Sequence, residues 1–421
     1  MQAFEVTEKK YTELVERHYI KPTHEFYQEC DQLSFKAKNL YNATNYIIRQ
    51  EFIFNKLYTG CFDTQKIVQT EDVYKELPAK VSQQTLRLLD RNWKSFFKSI
   101  KEYIKHPDKY TGKPSLPRYK DKLKGRSSVI YDKQAIGKRE LRKGYVKLSG
   151  TNIRIKTSKS NIKQARIIPR NNEYIIEIVY EQEVSDLHLN KNNFISLDIG
   201  LDNLAAITSN KSGFVPVLIN GRVLKSFNQF YNKKKAILQS YVGERGTSNR
   251  IRRLTNKRNK KIDDYLHKAS SHIIDICMFH DIGTIVIGKN KQWKTEINIG
   301  ARNNQNFVNI PHARFIDMIT YKAELVGIEV KLTEESYTSK CSFIDDEALC
   351  KQDKYAGRRV KRGLFKSAEG IKLNADVNGS YNIARKAIPN FSVRSIENGI
   401  EGVAVSPVRV TPYQRRTERF L

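Results

Sequence analysis

Apolar positions recur at three- and four-residue steps through residues 23–103, most clearly in VSQQTLRLLDRNWKSFFKSIKEYI. There Leu86, Leu89, Trp93, Phe96, Ile100 and Tyr103 fall on one stripe. The spacing predicts helices with an aromatic core face, while Arg87, Arg91, Lys94 and Lys98 on the polar side can track a phosphate backbone. HPDKYTGKPSLPRYKDKLKGR has Pro, Gly and Lys but no period, and marks a boundary. The period then drops to two in YVKLSG, NIRIKTS and ARIIPRNNEYIIEIVYEQEV, the last reading as two strands around the turn PRNN. These short strands predict a small barrel or sandwich ending near Val184, with SDLHLNKNN as the link to a different kind of domain.

From Phe194 onward strand and helix patterns alternate, as in an α/β domain. NFISLDIGLDNLAAITS predicts two short strands around a tight turn, and YVGERGTSNRIRRLTNKRNKKIDDYLHKASSHIIDICMFH a long helical stretch, basic first and apolar-periodic later. TIVIG reads as a strand, PHARFIDMITYKAELVG as a helix, IEVKLTEESY as another strand and NADVNGSYNIARKAI as the start of a late helix. TPYQRRTERFL is a basic tail.

Composition sharpens this picture. A chain of 421 residues has room for two or three domains. No apolar run approaches the roughly 18 residues of a membrane span, and the opening MQAFEVTEKKYTELVERHY has no apolar signal core. Lys and Arg number 75 against 45 Asp and Glu, a net charge of +30 spread along the chain, which calls for a polyanion and favours nucleic acid over a local membrane patch. Five widely spaced cysteines with no CxxC pair argue for a reducing compartment rather than a disulfide framework.

Two carboxylates carry the candidate chemistry. In ISLDIGLDN, Asp198 shares a strand face with the small Ser196 and Gly200, opposite Ile195, Leu197 and Ile199, and this predicts room beside the acid for a metal ion or a phosphate. In NADVNGSYNI, Asp376 stands at a helix start; alone it reads as a cap. One acid on a first strand and another on a late helix is a two-metal nuclease layout, since paired Mg²⁺ or Mn²⁺ ions about 4 Å apart take oxygen ligands. Asp202 reads as a turn residue.

With LDIGLDNLAAIT, YLHKASSHII, ESYTSKCS, NADVNGSYNIARKA and GKPSLPRYKDK in hand, the chain resembles the TnpB (OrfB) proteins of insertion sequences, compact relatives of type V CRISPR effectors. The resemblance covers nearly the whole length. It implies an RNA-guided DNA endonuclease with a multi-domain α+β fold: a RuvC/RNase H-like α/β nuclease domain, an N-terminal β-barrel-like wedge domain and an inserted helical recognition domain. The expected segments are 1–22 with 112–190 for the wedge, 23–111 for recognition, 191–336 with 373–400 for the nuclease, 337–372 for a degenerate zinc-ribbon-like insert, and 401–421 for the tail. Implied partners are a transposon-encoded guide RNA and double-stranded target DNA beside a short flanking motif, in a prokaryotic, cytoplasmic and nucleoid-associated setting. Arg250, Arg252, Arg253, Lys257, Arg258, Lys260 and Lys261 form a candidate backbone tracker, joined by Arg359, Lys361 and Arg362 in the basic hairpin GRRVKRGLFK.

Two departures from the family matter. Only Cys341 and Cys350 remain where the family has two CxxC pairs, so no zinc is expected. The family's middle acid, a Glu ending the strand TIVIG, is here Gly288. Three residues are candidates to replace it. Glu335 is favoured: the strand before it ends about 5 Å across the sheet, and alternation puts it with Lys331 and Thr333, whereas Glu334 falls with Ile328, Val330 and Leu332. Glu334 is the reserve and Glu296 is third. Without any replacement the chain reads as an RNA-guided DNA-binding protein acting as a repressor. A strand-joining transposase ranks last, because no tyrosine-nucleophile constellation is evident.

Overall fold

The computed structural model describes residues 10–243, 246–289, 310–396, 399–404 and 406–412. The chain forms two compact units, residues 13–182 and residues 1–12 with 183–421.

In the first unit, β1 (Tyr11–Ile20) is followed by α1 (Tyr27–Gln50), α2 (Cys61–Val68), α3 (Asp72–Lys75) and α4 (Ala79–Lys105). The aromatic stripe of α4 goes inward. Leu86, Leu89 and Trp93 are buried, Phe52, Tyr58, Phe96 and Phe97 pack around the indole, and Arg87, Arg91, Lys94 and Lys98 remain exposed. The Pro- and Lys-rich stretch runs along α1, held by side chains at helical spacing. Lys38 Nζ donates to Lys122 O at 2.6 Å, Asn42 Nδ2 to Lys120 O at 2.9 Å, and Asn45 Nδ2 to Pro117 O at 3.0 Å.

Beyond it come β2 (Val129–Asp132), α5 (Lys138–Arg142), β3 (Tyr145–Lys147), β4 (Arg154–Lys156), β5 (Ile162–Arg170) and β6 (Glu173–Glu183). They give a four-stranded sheet in the order β1-β6-β5-β2 and a two-stranded ribbon, β3-β4. The β5–β6 turn forms at Asn171 and Asn172, both at positive φ (45° and 64°), between the paired Arg170 and Glu173. That geometry suits a two-residue hairpin, and asparagine tolerates it. Leu33, Ala37 and Leu40 of α1 share one core with Val129, Tyr131, Ile167, Ile176 and Ile178 of the sheet.

The second unit is built on a six-stranded sheet. Its strands are β7 (Phe194–Asp198), β8 (Asn203–Ser209), β9 (Val217–Asn220), β10 (Thr284–Gly288), β11 (Glu329–Thr333) and, at one edge, β15 (Val408–Val410), in the order β11-β10-β7-β8-β9-β15. The first three run antiparallel to one another, and β10 and β11 join parallel to β7. Without β15 this is the RNase H-like order.

Alternation along the strands divides the sheet into two cores. Ile195, Leu197, Ile285 and Ile287 face α7 (Asn249–Phe279) and α8 (His312–Glu324), through Tyr265, Leu266, Ala269, Ile273, Phe315 and Ile319. α6 (Arg222–Ser240) packs on α7. The opposite face, with Phe194, Ala206 and Leu218, packs on Val377, Tyr381 and Ala384 of α9 (Ala375–Ala387). Between β11 and α9 a small sheet forms from β12 (Arg358–Lys361), β13 (Leu364–Lys366) and β14 (Lys372–Asn374). Among the described residues no helix is long and apolar enough to cross a membrane.

Candidate active site

Asp198 ends β7 on the face covered by α9. Its carboxylate fills the space that a side chain on Gly379 would need: a Cβ built there would lie 2.5 Å from Asp198 Oδ2. The expectation that Ser196 and Gly200 leave room beside the acid is corrected. Ser196 is fully buried, and its carbonyl accepts a hydrogen bond from Ser380 Oγ of α9 at 2.8 Å. A Cβ on Gly200 would come 2.8 Å from Asn203 O. Those two residues are small so that the helix and the β7–β8 turn can pack; Gly379 makes the space for the carboxylate.

The middle acid's position lies on the same face. Ile287 pairs with Leu197 in the β10–β7 register, and Gly288 and Asp198 each follow by one residue. On its other side Gly288 pairs with Thr333 of β11. The chain leaves β11 through Glu334 and Glu335, which take different partners. Glu335 reaches over Gly288: a Cβ on that glycine would collide with Glu335 Oε1 and lie 2.6 Å from its Cγ and 2.7 Å from Ile383 Cδ1. Glu334 points away, paired with Lys386 Nζ and accepting from the Ser336 amide at 2.8 Å. Those donors hold its carboxyl down at about 2. Glu296 lies outside the described residues.

Asp376 sits in the first turn of α9, yet it is not the cap. Asn374 caps the helix, accepting from the Asp376 and Val377 amides. The Asp376 carboxylate is thereby left to side chains: Oδ2 accepts from Asn203 Nδ2 at 2.7 Å and Oδ1 from Arg359 at 3.0 Å. Asp202 is bound elsewhere, at 2.6 Å from both Lys225 and Arg362, as a turn-anchoring acid would be.

Burial pushes the Asp198 carboxyl well above the usual carboxylate range, and the charges of Asp376 and Glu335 push it further, with Arg359 opposing. Burial likewise raises Glu335 to about 7, helped by neighbouring Glu334. A buried carboxylate such as Asp198, raised by burial and by two neighbouring acids, gains from a cation beside it. The donors are hard carboxylate oxygens from a strand end, a loop and a helix start, which fits Mg²⁺ or Mn²⁺. As they stand, no three acidic, His or Cys side chains among the described residues form a closed ligand group.

The other predicted residues divide. Arg250, Arg253 and Lys257 on α7 are exposed. Arg258 is not a backbone tracker as it stands: Nε donates to Asn228 at 2.9 Å and the guanidinium lies 5.6 Å from the Tyr231 ring, so it fastens α7 to α6. Lys261 lies 5.0 Å over the Phe227 ring of α6, and Arg252 and Lys260 are half-buried. Arg359 and Arg362 pair with Asp376 and Asp202, whereas Lys361 is exposed. Lys94 pairs with Asp90 at 2.8 Å.

In the insert, Cys341 is buried with Sγ 3.3 Å from Ala348 O, and Cys350 is exposed. The loop around them is tied to α9 by Asn378 and Asn382, which both donate to Cys341 O, and by Arg385, which donates to Asp346 at 2.8 Å. Two thiols in such a loop do not make a closed zinc site.

Sequence reasoning missed Asn203 and Gly379. A glycine inside a helix pattern is costly relative to alanine, and NADVNGSYN held that signal of a close approach. Asn203 gave no signal, because its partner is 173 residues away.

Residues 177–294 match the OrfB_IS605 family, described as "Probable transposase", and residues 312–383 match the family "Cas12f1-like, TNB domain". The chain is 25% identical over 210 residues to TnpB-like protein ORF457 of Acidianus two-tailed virus, covering 47% of this chain and 42% of that protein. It is 27% identical over 238 residues to CRISPR-associated endodeoxyribonuclease Cas12f2 of a Micrarchaeota archaeon, covering 52% and 41%. It thus spans less than half the length of these two relatives. The fold is similar to that of Cas12f1 in a cryo-EM complex with sgRNA and target DNA, with a TM-score of 0.54, 16% identity, and coverage of 86% of this chain and 83% of that one. The chain is thus similar in sequence to TnpB-like and Cas12f2 proteins and similar in fold to Cas12f1.

Proposed function

We propose that this TnpB-like, type V effector-like chain is an RNA-guided DNA endonuclease of a transposon, and that its middle catalytic acid has moved from the end of β10 to Glu335. The observation that carries this reading is the overlap of Glu335 Cγ and Oε1 with the space over Gly288, on the sheet face that also holds Asp198. Asp198, Glu335 and Asp376 would hold two Mg²⁺ or Mn²⁺ ions. When bound, such ions supply Lewis-acid stabilisation of phosphodiester oxygens and a more acidic water. The chain's own contribution is to place two of these carboxylates: Gly379 admits that of Asp198, and Asn203 orients that of Asp376 through its 2.7 Å hydrogen bond.

Guide pairing reads the target, and the protein holds both nucleic acids through phosphates. The exposed Arg250, Arg253 and Lys257 on α7 and Arg87 and Arg91 on α4 suit that task. In this reading 23–111 is the recognition domain, 1–22 with 112–190 the wedge, 191–336 with 373–400 the nuclease, and 337–372 a nucleic-acid-binding insert that needs no zinc.

Cleavage of a matched duplex by the protein co-purified with its RNA tests this in Mg²⁺. Glu335→Ala stops cutting and leaves binding intact, Glu334→Ala cuts normally, and adding Gly288→Glu to Glu335→Ala restores cutting. Normal cutting by Glu335→Ala alone overturns the assignment. A wild type that binds and never cuts makes the chain a guided DNA-binding repressor, the reading that Gly288 by itself favours.

A further inference from the structure

The hairpin of β12 and β13 leans on the candidate site through two arginines. Arg359 donates to Asp376 Oδ1 at 3.0 Å, and Arg362 forms an ion pair with Asp202 Oδ2 at 2.6 Å. The hairpin is anchored on one side only. Phe365 of β13 is buried in the core beneath α9, and the Ala375 amide donates to Gly363 O at 3.2 Å. β12 is exposed along its whole length, and its pairing with β13 shifts register between Arg359 and Lys361. The arginine-bearing strand is therefore clipped down by ion pairs at its outer side and not packed in place.

We infer that Arg359 is an internal stand-in cation: it occupies the Asp376 carboxylate until nucleic-acid phosphates draw its guanidinium away, and so restricts divalent-metal loading in the free protein. This rests on reading Asp376 as a metal ligand. Both Asp376 oxygens are engaged, one by Asn203 and the other by Arg359. A neutral carboxamide can stay beside a metal-bound carboxylate. A guanidinium cannot do so without repulsion, because its positive charge lies next to the incoming cation. The Arg359 side chain is 47% exposed, so water screens the pair and leaves it weak enough to break. Phosphate is the natural competitor, since guanidinium matches its oxygens in a two-pronged geometry. Arg362 at the turn adds a second clip of the same kind, released by the same chemistry. The hairpin thus links substrate arrival to assembly of the carboxylate site.

The test is Mn²⁺ binding to the full chain, stripped of nucleic acid at high salt, followed through the electron paramagnetic resonance signal of free Mn²⁺. The wild type is compared with Arg359→Gln, Arg359→Lys and Asp376→Asn, with and without a DNA oligonucleotide whose own Mn²⁺ uptake is subtracted. Without DNA, Arg359→Gln binds Mn²⁺ roughly three- to tenfold more tightly than the wild type, while Arg359→Lys, which keeps the charge, stays close to it. DNA tightens Mn²⁺ binding in the wild type and leaves Arg359→Gln unchanged. Unchanged or weaker Mn²⁺ binding by Arg359→Gln overturns the inference, and if Asp376→Asn still loses Mn²⁺ the carboxylate reading survives. If Asp376→Asn binds Mn²⁺ as the wild type does, the ligand reading itself fails. Thermal melts of each variant report that the fold is retained.

Discussion

Glu335 is an acid held where a neutral group is more comfortable. Its carboxyl is raised from an ordinary 4.5 to about 7, first by burial and then by Glu334. As pH rises from 4.5 toward 7 the unfolded chain releases this proton and the metal-free fold does not, so stability falls across that window and the loss is complete above it. Glu335→Gln removes the penalty. The variant is expected to be more stable than the metal-free wild type at pH 8, by on the order of 3 kcal/mol at about 1.4 kcal/mol per tenfold, and nearly equal to it at pH 4.5. Urea unfolding at both values checks this; equal stability at pH 8 would mean that the glutamate is not strained in the fold. Strand alternation ranked Glu335 above Glu334, but β11 ends at Thr333, so the positions of the two side chains are set by the loop that follows and not by strand parity. What Arg359 and Asn203 touch was not legible: both meet Asp376 across chain separations that no local pattern encodes.

At the scale of the element, α9 shows how one helix is made polar where it must serve a site. Val377, Tyr381 and Ala384 give it an apolar stripe at helical spacing. Asn378 and Asn382, four residues apart, hold the insert loop, and Ser380 bonds to β7, so its buried surface is only partly hydrophobic. Gly379 is the exception to helix preference. Alanine there would gain up to about 1 kcal/mol in propensity, but its Cβ would lie 2.5 Å from Asp198 Oδ2. Gly379→Ala is therefore expected to melt within a few degrees of the wild type and to cut at least tenfold more slowly, measured in single-turnover cleavage. Wild-type cutting by this variant would show that the Asp198 carboxylate does not depend on the close approach. Strands such as β6, β7 and β10 were easy to read because burial fixes their composition, whereas β1, with every second residue exposed, β2, β9 and β15 went unread. The small residues Ser196 and Gly200 were misread because small size serves helix packing and tight turns as well as ligand room.

At the scale of the whole molecule, a net charge of +30 is a statement about partners, since it adds self-repulsion that a bound polyanion relieves. Sequence alone ranked the basic residues of α7 together, because spacing along a helix says nothing about which side meets α6. The fold separates them: Arg250, Arg253 and Lys257 face solvent, while Arg258 stacks at Tyr231 and bonds Asn228. Each exposed cation that meets a duplex phosphate contributes close to one unit to the slope of log affinity against log salt. Changing Arg250, Arg253 and Lys257 together to Gln is thus expected to lower the magnitude of that slope for matched DNA by roughly two to three, with the thermal midpoint unchanged. Arg258→Gln is expected to do the reverse: it loosens the α6–α7 pair and lowers the midpoint, with little change in the slope. Filter binding across a salt series, beside thermal melts of the same preparations, separates the two. A full slope in the triple variant would remove α7 from the phosphate contacts and leave the charge to be answered by other surfaces, the exposed Arg87 and Arg91 of α4 first among them.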